Sequence, residues 1–327
     1  GSRADGRYQD EPPAVRTWAV PRPRVPRLVG GRPATVGSRW LADHQRPRDV
    51  LRLTPLTRWV KPFDHVHVHF AGEAAEFAHA LHLDLGLPYS VTIHANDLYR
   101  PRPSLQDVLD AASAVVVVSH HQAGLLSRLG IEAQVVRCGP DLARWSTGGE
   151  LPGPGLRALC VARDVPKKGL GLLLEAWSSV VNDLDGATLT LVSDLDASTL
   201  PMGVQCVGLL PPGRVREAMG DSNLFVLPCV RAPDGDMDGV PLVLMEALAA
   251  GRPVLTTDLG ALPELVDHRV GWTVPSGDTE ALARALVGIA GAVQERGVRG
   301  SRGPGHLRER GFHLAAQVAG VREAWRR

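Results

Sequence analysis

From residue 65 onwards, hydrophobic and polar residues recur with two different periods, and segments of the two patterns alternate along the chain. Short runs such as H-V-H-V-H-F at 65–70 have the period of two that predicts a strand. Longer runs such as 74–85 place apolar residues three and four positions apart, as an amphipathic helix does. Strands that alternate with helices in this way indicate a parallel sheet covered by helices on both faces.

The alternation occurs twice and predicts an α/β protein with two tandem, doubly wound, Rossmann-like domains. In the first domain, strands are expected at 65–70, 89–94, 115–119 and 133–137. In the second, we expect strands at 156–162, 188–192, 204–207, 224–228, 254–257 and 272–274, then a loose loop at 294–306 and a last helix at 307–326. A ligand would bind in the cleft that the two domains face, outside the carboxyl ends of the strands.

Changes in composition indicate the domain boundaries. We expect an irregular basic segment at 1–62, an N-terminal domain at 63–139, a linker rich in Gly and Pro at 140–155 and a C-terminal domain at 156–306. A C-terminal helix at 307–327 would end the chain and has the length to cross back to the first domain. With 327 residues, 44% of them hydrophobic, the chain is large enough for two cores.

Charge is distributed unevenly, although the formal net charge of +1 does not indicate a nucleic-acid partner. Residues 1–61 hold 13 Lys/Arg and 5 Asp/Glu, whereas the remainder holds 23 and 30. The stretch 38–62 mixes Trp and Leu with Arg, which predicts one or two short amphipathic helices. One interpretation is peripheral docking on an anionic membrane. The other interpretation is a solvated basic face over an ordinary core. We favour it because prolines interrupt the amphipathic pattern.

The cellular setting follows from cysteines and apolar runs. No C-x-x-C pair occurs among Cys138, Cys160, Cys206 and Cys229, which favours free thiols and a reducing compartment. No apolar run has the length of a membrane span, and no secretory signal peptide is recognisable. We therefore expect a cytoplasmic protein that could reach the inner face of the membrane only through 38–62.

The stretch 234–253, D-G-D-M-D-G-V-P-L-V-L-M-E-A-L-A-A-G-R-P, predicts a loop that leads into a helix. An anion site is expected at the helix start, formed by the helix dipole and the amides of Gly239, Val240 and Leu242. Asp238 and Glu246 lie on either side of it. This arrangement suits a phosphate flanked by sugar hydroxyls, as in a nucleoside diphosphate sugar. The alternative is an acidic surface loop that caps a core helix.

Other candidate groups stand at expected strand ends. Arg163 follows a strand, and K-K-G at 167–169 opens the next helix, which suits a diphosphate or, alternatively, ordinary solvated charge. His94 ends a strand at the cleft edge, where it could contact a substrate or only a neighbouring backbone group. The histidines of 65–69 share one strand face, but no Cys, Asp or Glu is placed to complete a zinc site, so no metal site is expected.

Four motifs occur in order: T-I-H-A-N-D-L-Y at 92–99, A-R-D-V-P-K-K-G at 162–169, D-G-D-M-D-G-V-P-L-V-L-M-E-A at 234–247 and G-A-L-P-E-L-V at 260–266. Together they resemble the retaining glycosyltransferases of the GT-B fold. More narrowly, they resemble family 4 and its bacterial exopolysaccharide and natural-product members with a D-G-D-x-[DE]-G-I-P loop. The resemblance implies transfer of a hexose-type sugar from a nucleoside diphosphate sugar to a hydroxyl acceptor, with retention of anomeric configuration. The acceptor would be a glycan, a lipid-linked saccharide or a natural product.

The resemblance also implies roles for individual residues. Arg163 and Lys168 would clamp the donor diphosphate, and Glu246 would hold the ribose hydroxyls. Asp238, where the family usually has Glu, would lie beside the transferred sugar, and His94 would lie near that sugar and the leaving phosphate. The candidate catalytic set is thus His94, Arg163, Lys168 and Asp238. No cofactor and no metal are expected, because the cations and the helix amides would neutralise the diphosphate.

The beginning of the chain departs from the family pattern. Family members open with a strand, a glycine-bearing loop and a helix that help to bind the acceptor, and nothing before His65 resembles them. We therefore expect the first domain to lack its first β-α unit, a loss of roughly 30–60 residues from a longer protein. Two alternative functions stay open. One is a catalytically weak GT-B protein that binds nucleotide sugar or acts as a partner subunit, and the other is a sugar-phosphate enzyme such as an epimerase.

Overall fold

A computed structural model of the protein describes residues 35–44, 53–60, 62–147 and 153–325. Within these ranges the chain forms two α/β domains in tandem, each built on one parallel sheet with helices between successive strands. The fold class expected from the alternating periods is therefore confirmed.

The N-terminal domain begins with two helices, α1 (Val36–His44) and α2 (Leu53–Val60). Its parallel strands are β1 (Val66–His69), β2 (Tyr89–Ile93), β3 (Ala114–Val117) and β4 (Gln134–Val135), in the order β1-β2-β3-β4. The intervening helices are α3 (Glu73–Leu85), α4 (Ala95–Tyr99), α5 (Leu105–Asp110) and α6 (His120–Ser127). Among the described strands, β1 pairs with β2 alone and so forms an edge.

Helices α1 and α2 pack their apolar faces on α3. The buried cluster that joins them consists of Leu41, Leu53, Leu56, Val60, Phe77, Ala80 and Leu81. Gly37 permits a close approach, because a Cβ there would lie 2.1 Å from the carbonyl oxygen of Ala80. The Gly37 amide donates a hydrogen bond to Asp84 Oδ1 at 2.7 Å. The described apolar side chains beneath the basic stretch thus form an ordinary buried core. None of the helices in the described ranges combines the length and the apolar character that a bilayer span requires.

The C-terminal domain follows a short helix, α7 (Leu142–Trp145), that lies inside the stretch expected as a linker. Its six parallel strands are β5 (Arg157–Val161), β6 (Thr188–Val192), β7 (Val204–Cys206), β8 (Leu224–Leu227), β9 (Val254–Thr257) and β10 (Gly271–Val274). They lie in the order β7-β6-β5-β8-β9-β10. The chain thus crosses from one side of β5 to the other between β7 and β8. This creates a switch point between β5 and β8, where doubly wound sheets bind their ligands.

Helices of this domain are α8 (Leu170–Val180), α9 (Pro212–Gly220), α10 (Leu242–Ala249), α11 (Leu262–Leu265) and α12 (Thr279–Gly291). Short 3-10 helices occur at Pro166–Lys168, Val181–Asp183 and Ala197–Thr199. The central strands β8 and β9 are buried along their whole length, which places the core of the domain directly beneath the switch point.

The predicted loop at 294–306 is wrong, because Val293–Glu309 form a helix, α13. Two glycines of this helix are buried against α10 and the turn that follows it. A Cβ on Gly303 would lie 2.3 Å from the Leu248 carbonyl oxygen, and one on Gly300 would lie 2.4 Å from that of Gly251. Close packing of the two helices therefore outweighs the poor helix propensity of glycine.

The last helix, α14 (Leu314–Ala324), is separate from α13 and returns to the N-terminal domain. Ala324 packs in one buried cluster with Val116 of β3 and with Val136, which follows β4. The ring of Trp325 lies 5.3 Å from the ring of His67 on β1. The expected single helix over 307–326 is thus two helices, and the second of them covers the first domain's sheet.

Candidate functional site

Two loops meet at the switch point between β5 and β8. The loop after β5 carries Arg163 and the 3-10 helix Pro166–Lys168, and the loop after β8 leads through the acidic residues to α10. Since β5 and β8 are adjacent and parallel, their carboxyl ends lie at the same edge of the sheet. The candidate site residues of the C-terminal domain therefore converge here.

Gly169 fixes how closely these two loops approach each other. Its backbone has φ of +67°, and a Cβ there would lie 2.1 Å from the carbonyl oxygen of Pro228 at the end of β8. The amide of Val230 donates a hydrogen bond to the carbonyl oxygen of Lys167 at 3.0 Å. Only glycine combines this φ with this contact, so the sequence K-K-G places both lysines beside the loop that follows β8.

Two lysines and two aspartates form a charged cluster between the loops. Lys168 Nζ lies 2.6 Å from Asp238 Oδ2. Lys167 Nζ lies 3.0 Å from Asp236 Oδ2 and 3.5 Å from Asp238 Oδ1. Their side chains are 13–18% exposed, so water screens these pairs less than it screens surface pairs. Two of the candidate catalytic residues, Lys168 and Asp238, are therefore in direct contact.

Arg163, by contrast, is exposed, and its guanidinium has no hydrogen-bond or ion-pair partner among the residues that the structure describes. Its charge is thus not compensated within those residues. A planar guanidinium with unused donors suits a phosphate, which it can bind through two parallel hydrogen bonds.

The start of α10 presents backbone amides to the same cleft. Leu242 is the first helical residue, so its amide has no acceptor inside the helix. Gly239 and Val240 precede it, and their amides donate to none of the described residues. Val240 is buried, whereas the side chain of Leu242 is exposed. The helix start therefore keeps the donors that an anion site requires.

Glu246 lies in the second turn of α10, on the side that is only half-buried. Burial raises the pKa of its carboxyl group to about 7. No described group donates a hydrogen bond to this side chain. An acid that lacks a partner in the free protein is suited to accept hydrogen bonds from a ligand's hydroxyl groups.

His94 is the candidate residue that the N-terminal domain contributes. It follows β2 and caps α4, where its amide donates to Asp97 Oδ2 at 2.9 Å. Its Nε2 lies 3.4 Å from His69 Nδ1. Burial, with a smaller contribution from His69, lowers the pKa of His94 to about 4, so the imidazole is neutral at pH 7. A neutral ring can donate from one nitrogen and accept at the other.

Phe70 packs against this histidine from a strained backbone. Its φ is +70°, in the left-handed region that side chains other than Asn and Asp seldom adopt. The Phe70 ring lies 4.3 Å from that of His94 and is 49% exposed. The ring contact places the residue after β1 beside His94, and strain of this kind concentrates at functional sites.

The two halves of the site meet at Gly239. A Cβ on Gly239 would lie 3.2 Å from Gln122 Nε2 and 3.6 Å from Ala95 Cβ. Ala95 is the residue after His94, and Gly239 is the residue after Asp238. The structure therefore brings the segment that begins with His94 and Ala95 next to the loop that carries Asp238 and leads to α10.

His65, just before β1, and His67, within it, bond to the neighbouring strand. His65 Nε2 and His67 Nδ1 each lie 2.8 Å from Ser90 Oγ, and His67 Nε2 lies 3.0 Å from Thr92 Oγ1. In the described ranges, no three side chains of His, Cys, Asp or Glu are grouped so as to hold a metal ion. The zinc alternative thus lacks a ligand set there.

Sequence reasoning missed the cations that hold the rest of the acidic loop. Asp234 forms an ion pair with Arg100, which follows α4 in the other domain. Asp236 is paired with Lys167. The sequence indicated such contacts through the alternating acids in D-G-D-M-D and the adjacent lysines in K-K. Which cation pairs with which acid, however, depends on the fold.

Comparisons with known proteins agree with this fold. The structure of Anabaena Alr3699/HepE in complex with UDP superposes with a TM-score of 0.71 at 17% identity, covering 84% of this chain and 82% of that one. The fold is therefore GT-B. Residues 10–144 match the family model described as Glycosyltransferase Family 4, and residues 155–291 match the one described as Glycosyl transferases group 1. Each half of the chain thus resembles a glycosyltransferase family model, on a fold that is GT-B.

Several bacterial relatives are similar over part of their length. The amylovoran biosynthesis glycosyltransferase AmsK of Erwinia amylovora is 36% identical over 149 residues, 41% of this chain and 36% of the relative. The putative colanic acid biosynthesis glycosyltransferase WcaL of Escherichia coli K12 is 31% identical over 206 residues, 58% and 50% of the two chains. The putative teichuronic acid biosynthesis glycosyltransferase TuaC of Bacillus subtilis is 29% identical over 268 residues, 76% and 66%. The match thus spans half or less of the first two relatives.

Proposed function

We propose that this chain is a glycosyltransferase that moves a hexose-type sugar from a nucleoside diphosphate sugar to a hydroxyl acceptor, with retention of anomeric configuration. The observation that carries the proposal is the ion pair of Lys168 with Asp238 just before α10 at the switch point. At the same place Gly239 lies against Ala95, the residue after His94. The relatives in amylovoran, colanic acid and teichuronic acid biosynthesis support it, as does the structure of HepE with UDP-glucose.

In this proposal the donor diphosphate lies over the start of α10. Its oxygens would accept hydrogen bonds from the amides of Gly239, Val240 and Leu242, in the field of the helix dipole. Arg163 would supply a charge that no described residue compensates. Lys168 would share its ammonium group between Asp238 and a phosphate oxygen. Glu246, when ionised, would accept hydrogen bonds from the ribose hydroxyls.

Transfer would take place on one face of the sugar. The bond between the anomeric carbon and the leaving phosphate oxygen breaks while the acceptor oxygen forms its bond on the same side. The acceptor's proton passes to the leaving phosphate oxygen, so the reaction balances without a protein nucleophile. Negative charge develops on the diphosphate, where Arg163, Lys168 and the helix amides would stabilise it. The neutral His94 would donate a hydrogen bond to the transferred sugar or to the leaving phosphate.

The proposal assigns no role to a cofactor or a metal ion. Charge on the leaving diphosphate is assigned to Arg163, Lys168 and α10 instead of Mg²⁺ or Mn²⁺. Asp234 and Asp236, the acids of the D-G-D run, are paired with Arg100 and Lys167.

The acceptor would bind mainly to the N-terminal domain, as a hydroxyl of a glycan, a lipid-linked saccharide or a natural product. Peripheral contact with an anionic membrane through 38–62 belongs to the same proposal. Arg58 of α2 is exposed and would face the lipid head groups. Such contact would be electrostatic, because the described apolar side chains of α1 and α2 that are buried face α3.

A donor screen followed by a transfer assay tests the proposal. Thermal-shift measurements with UDP-, GDP-, TDP- and ADP-sugars identify the donor, and release of nucleoside diphosphate with a panel of saccharide acceptors measures transfer. The anomeric proton coupling in the NMR spectrum of the product reports retention. Arg163→Ala should weaken donor binding, whereas the matched control Arg128→Ala, at an exposed position after α6, should not. Binding without transfer would favour the alternative of a nucleotide-sugar-binding partner subunit, and absence of binding would reject both.

A further inference from the structure

A carboxylate of the C-terminal domain caps a helix of the N-terminal domain. Glu264, in α11, accepts hydrogen bonds from the amide of His120 at 3.0 Å and from that of His121 at 2.8 Å. Arg137 Nη2 lies 3.3 Å from Glu264 Oε2. The two amides are the first of α6 and have no acceptor inside the helix. The contact therefore places a negative charge at the positive end of the α6 dipole.

Both sides of this contact are held by their own domains. On one side, the neighbours of Glu264 in α11, Leu262 and Leu265, are buried in the C-terminal core. On the other side, Ser119 Oγ accepts the third amide of the turn, that of Gln122, at 3.2 Å. Glu264 is thus the acceptor for the first two amides. A shift of either domain would therefore change the two hydrogen bonds that this carboxylate accepts.

The same turn of α6 touches the candidate site. Gln122 is fully buried, and its Nε2 lies 3.2 Å from the position of a Cβ on Gly239. The same Cβ position lies 3.6 Å from the Cβ of Ala95, which follows His94. The spacing between α6 and α11 therefore also fixes how near His94 comes to the loop before α10.

We propose that Glu264 is a positioning residue, which sets the closed spacing of the two domains in which His94 faces the donor. The proposal rests on the proposed transferase activity for its kinetic readout. Glu264→Gln removes the charge and turns an N–H group towards one of the two amides. Loss of a charge-assisted contact of this kind should lower kcat/KM about ten- to a hundredfold. Affinity for the nucleoside diphosphate should stay within about twofold, because that site lies in the C-terminal domain.

The test compares Glu264→Gln with Glu280→Gln as a matched control. Glu280 is exposed on α12 and pairs only with the exposed Arg284 among the described residues. Transfer kinetics, calorimetry with UDP or whichever nucleoside diphosphate the donor screen selects, and hydrogen exchange of residues 119–123 are measured on the same preparations. Glu264→Gln should show faster exchange, unchanged nucleotide affinity and a lower kcat/KM, and Glu280→Gln should match the wild type.

Equal kcat/KM for the two variants would overturn the proposal, even if exchange in α6 increased. Joint loss of nucleotide binding and transfer would also overturn it, because the change would then lie in the folding of the C-terminal domain. If the wild type transfers no sugar from any donor, the proposed function falls instead, and small-angle scattering decides the positioning role. A larger radius of gyration for Glu264→Gln than for Glu280→Gln would support it, and equal radii would overturn it.

Discussion

Replacing Glu246 by Gln should stabilise the ligand-free protein at pH 8 and weaken donor binding at the same time. Burial raises the pKa of Glu246 from 4.5 to about 7, and no described group compensates its charge. Ionising this carboxyl group therefore opposes folding. The same unpaired carboxylate is the group that would accept the ribose hydroxyls, so stability and binding should respond in opposite directions.

The sign and the size of the effect follow from the pKa shift. Between pH 4.5 and about 7 the folded chain keeps a proton that the unfolded chain has lost, so stability falls as the pH rises. At 1.36 kcal/mol per pH unit, a shift from 4.5 to about 7 sets an upper bound of roughly 3 kcal/mol, and water that reaches this half-buried side chain reduces the effect below that bound. Glutamine does not ionise. Glu246→Gln should therefore gain up to about 3 kcal/mol over the wild type at pH 8 and much less at pH 5.

Denaturant unfolding of both proteins at pH 5 and pH 8 measures the stability difference, and calorimetry with the donor nucleotide measures binding. The exposed Glu280→Gln serves again as the control and should change neither quantity. We expect donor affinity of Glu246→Gln to fall about tenfold or more, as for loss of hydrogen bonds to a charged group. A variant that is less stable than the wild type at pH 8, or that keeps the wild-type dependence on pH, would refute the reasoning.

Three further predictions concern the clamp, the loop contact and the metal. Arg163→Ala and Lys168→Ala should each weaken nucleoside diphosphate binding about ten- to a hundredfold in calorimetry, and unchanged binding in both would reject the clamp. Gly169→Ala should lower the thermal unfolding midpoint by several degrees, since its Cβ would meet the Pro228 carbonyl oxygen at 2.1 Å. Gly171→Ala, with open space in α8, should be neutral or stabilising by up to about 1 kcal/mol. Transfer should survive excess EDTA, and loss of activity with rescue by Mn²⁺ would reject the metal-free mechanism.

Much of the fold could be predicted because buried parallel strands have a simple local pattern. The strands Thr188–Val192 and Val254–Thr257 have the bounds expected from their apolar and β-branched runs. Helix α13 could not be predicted in the same way. Its glycines are unfavourable for a helix in isolation, and they are accommodated because α10 and the turn after it pack against them. Residues far away in the sequence decide that segment's structure.

Candidate residues of the site could be named from the sequence, but the contacts between them could not. Motifs identified Lys168 and Asp238 as separate candidates, yet 70 positions separate them, and only the fold shows that they form an ion pair. Glu264 belongs to the motif G-A-L-P-E-L-V, but the sequence indicated no role for it. Its partner His120 lies 144 positions away. Local spacing carries no information about such pairs, which depend on the approach of two domains.

The return of α14 to the N-terminal domain has a consequence for synthesis on the ribosome. Val116 and Val136 are synthesised early in translation. Ala324, which covers them, is synthesised about 190 residues after Val136. At the usual ~5–20 residues per second, that delay is roughly 10–40 s. During this interval the nascent first domain exposes an apolar surface that its own chain will later bury. A chaperone that shields this surface until translation reaches the final helix would therefore raise the yield of correctly assembled protein.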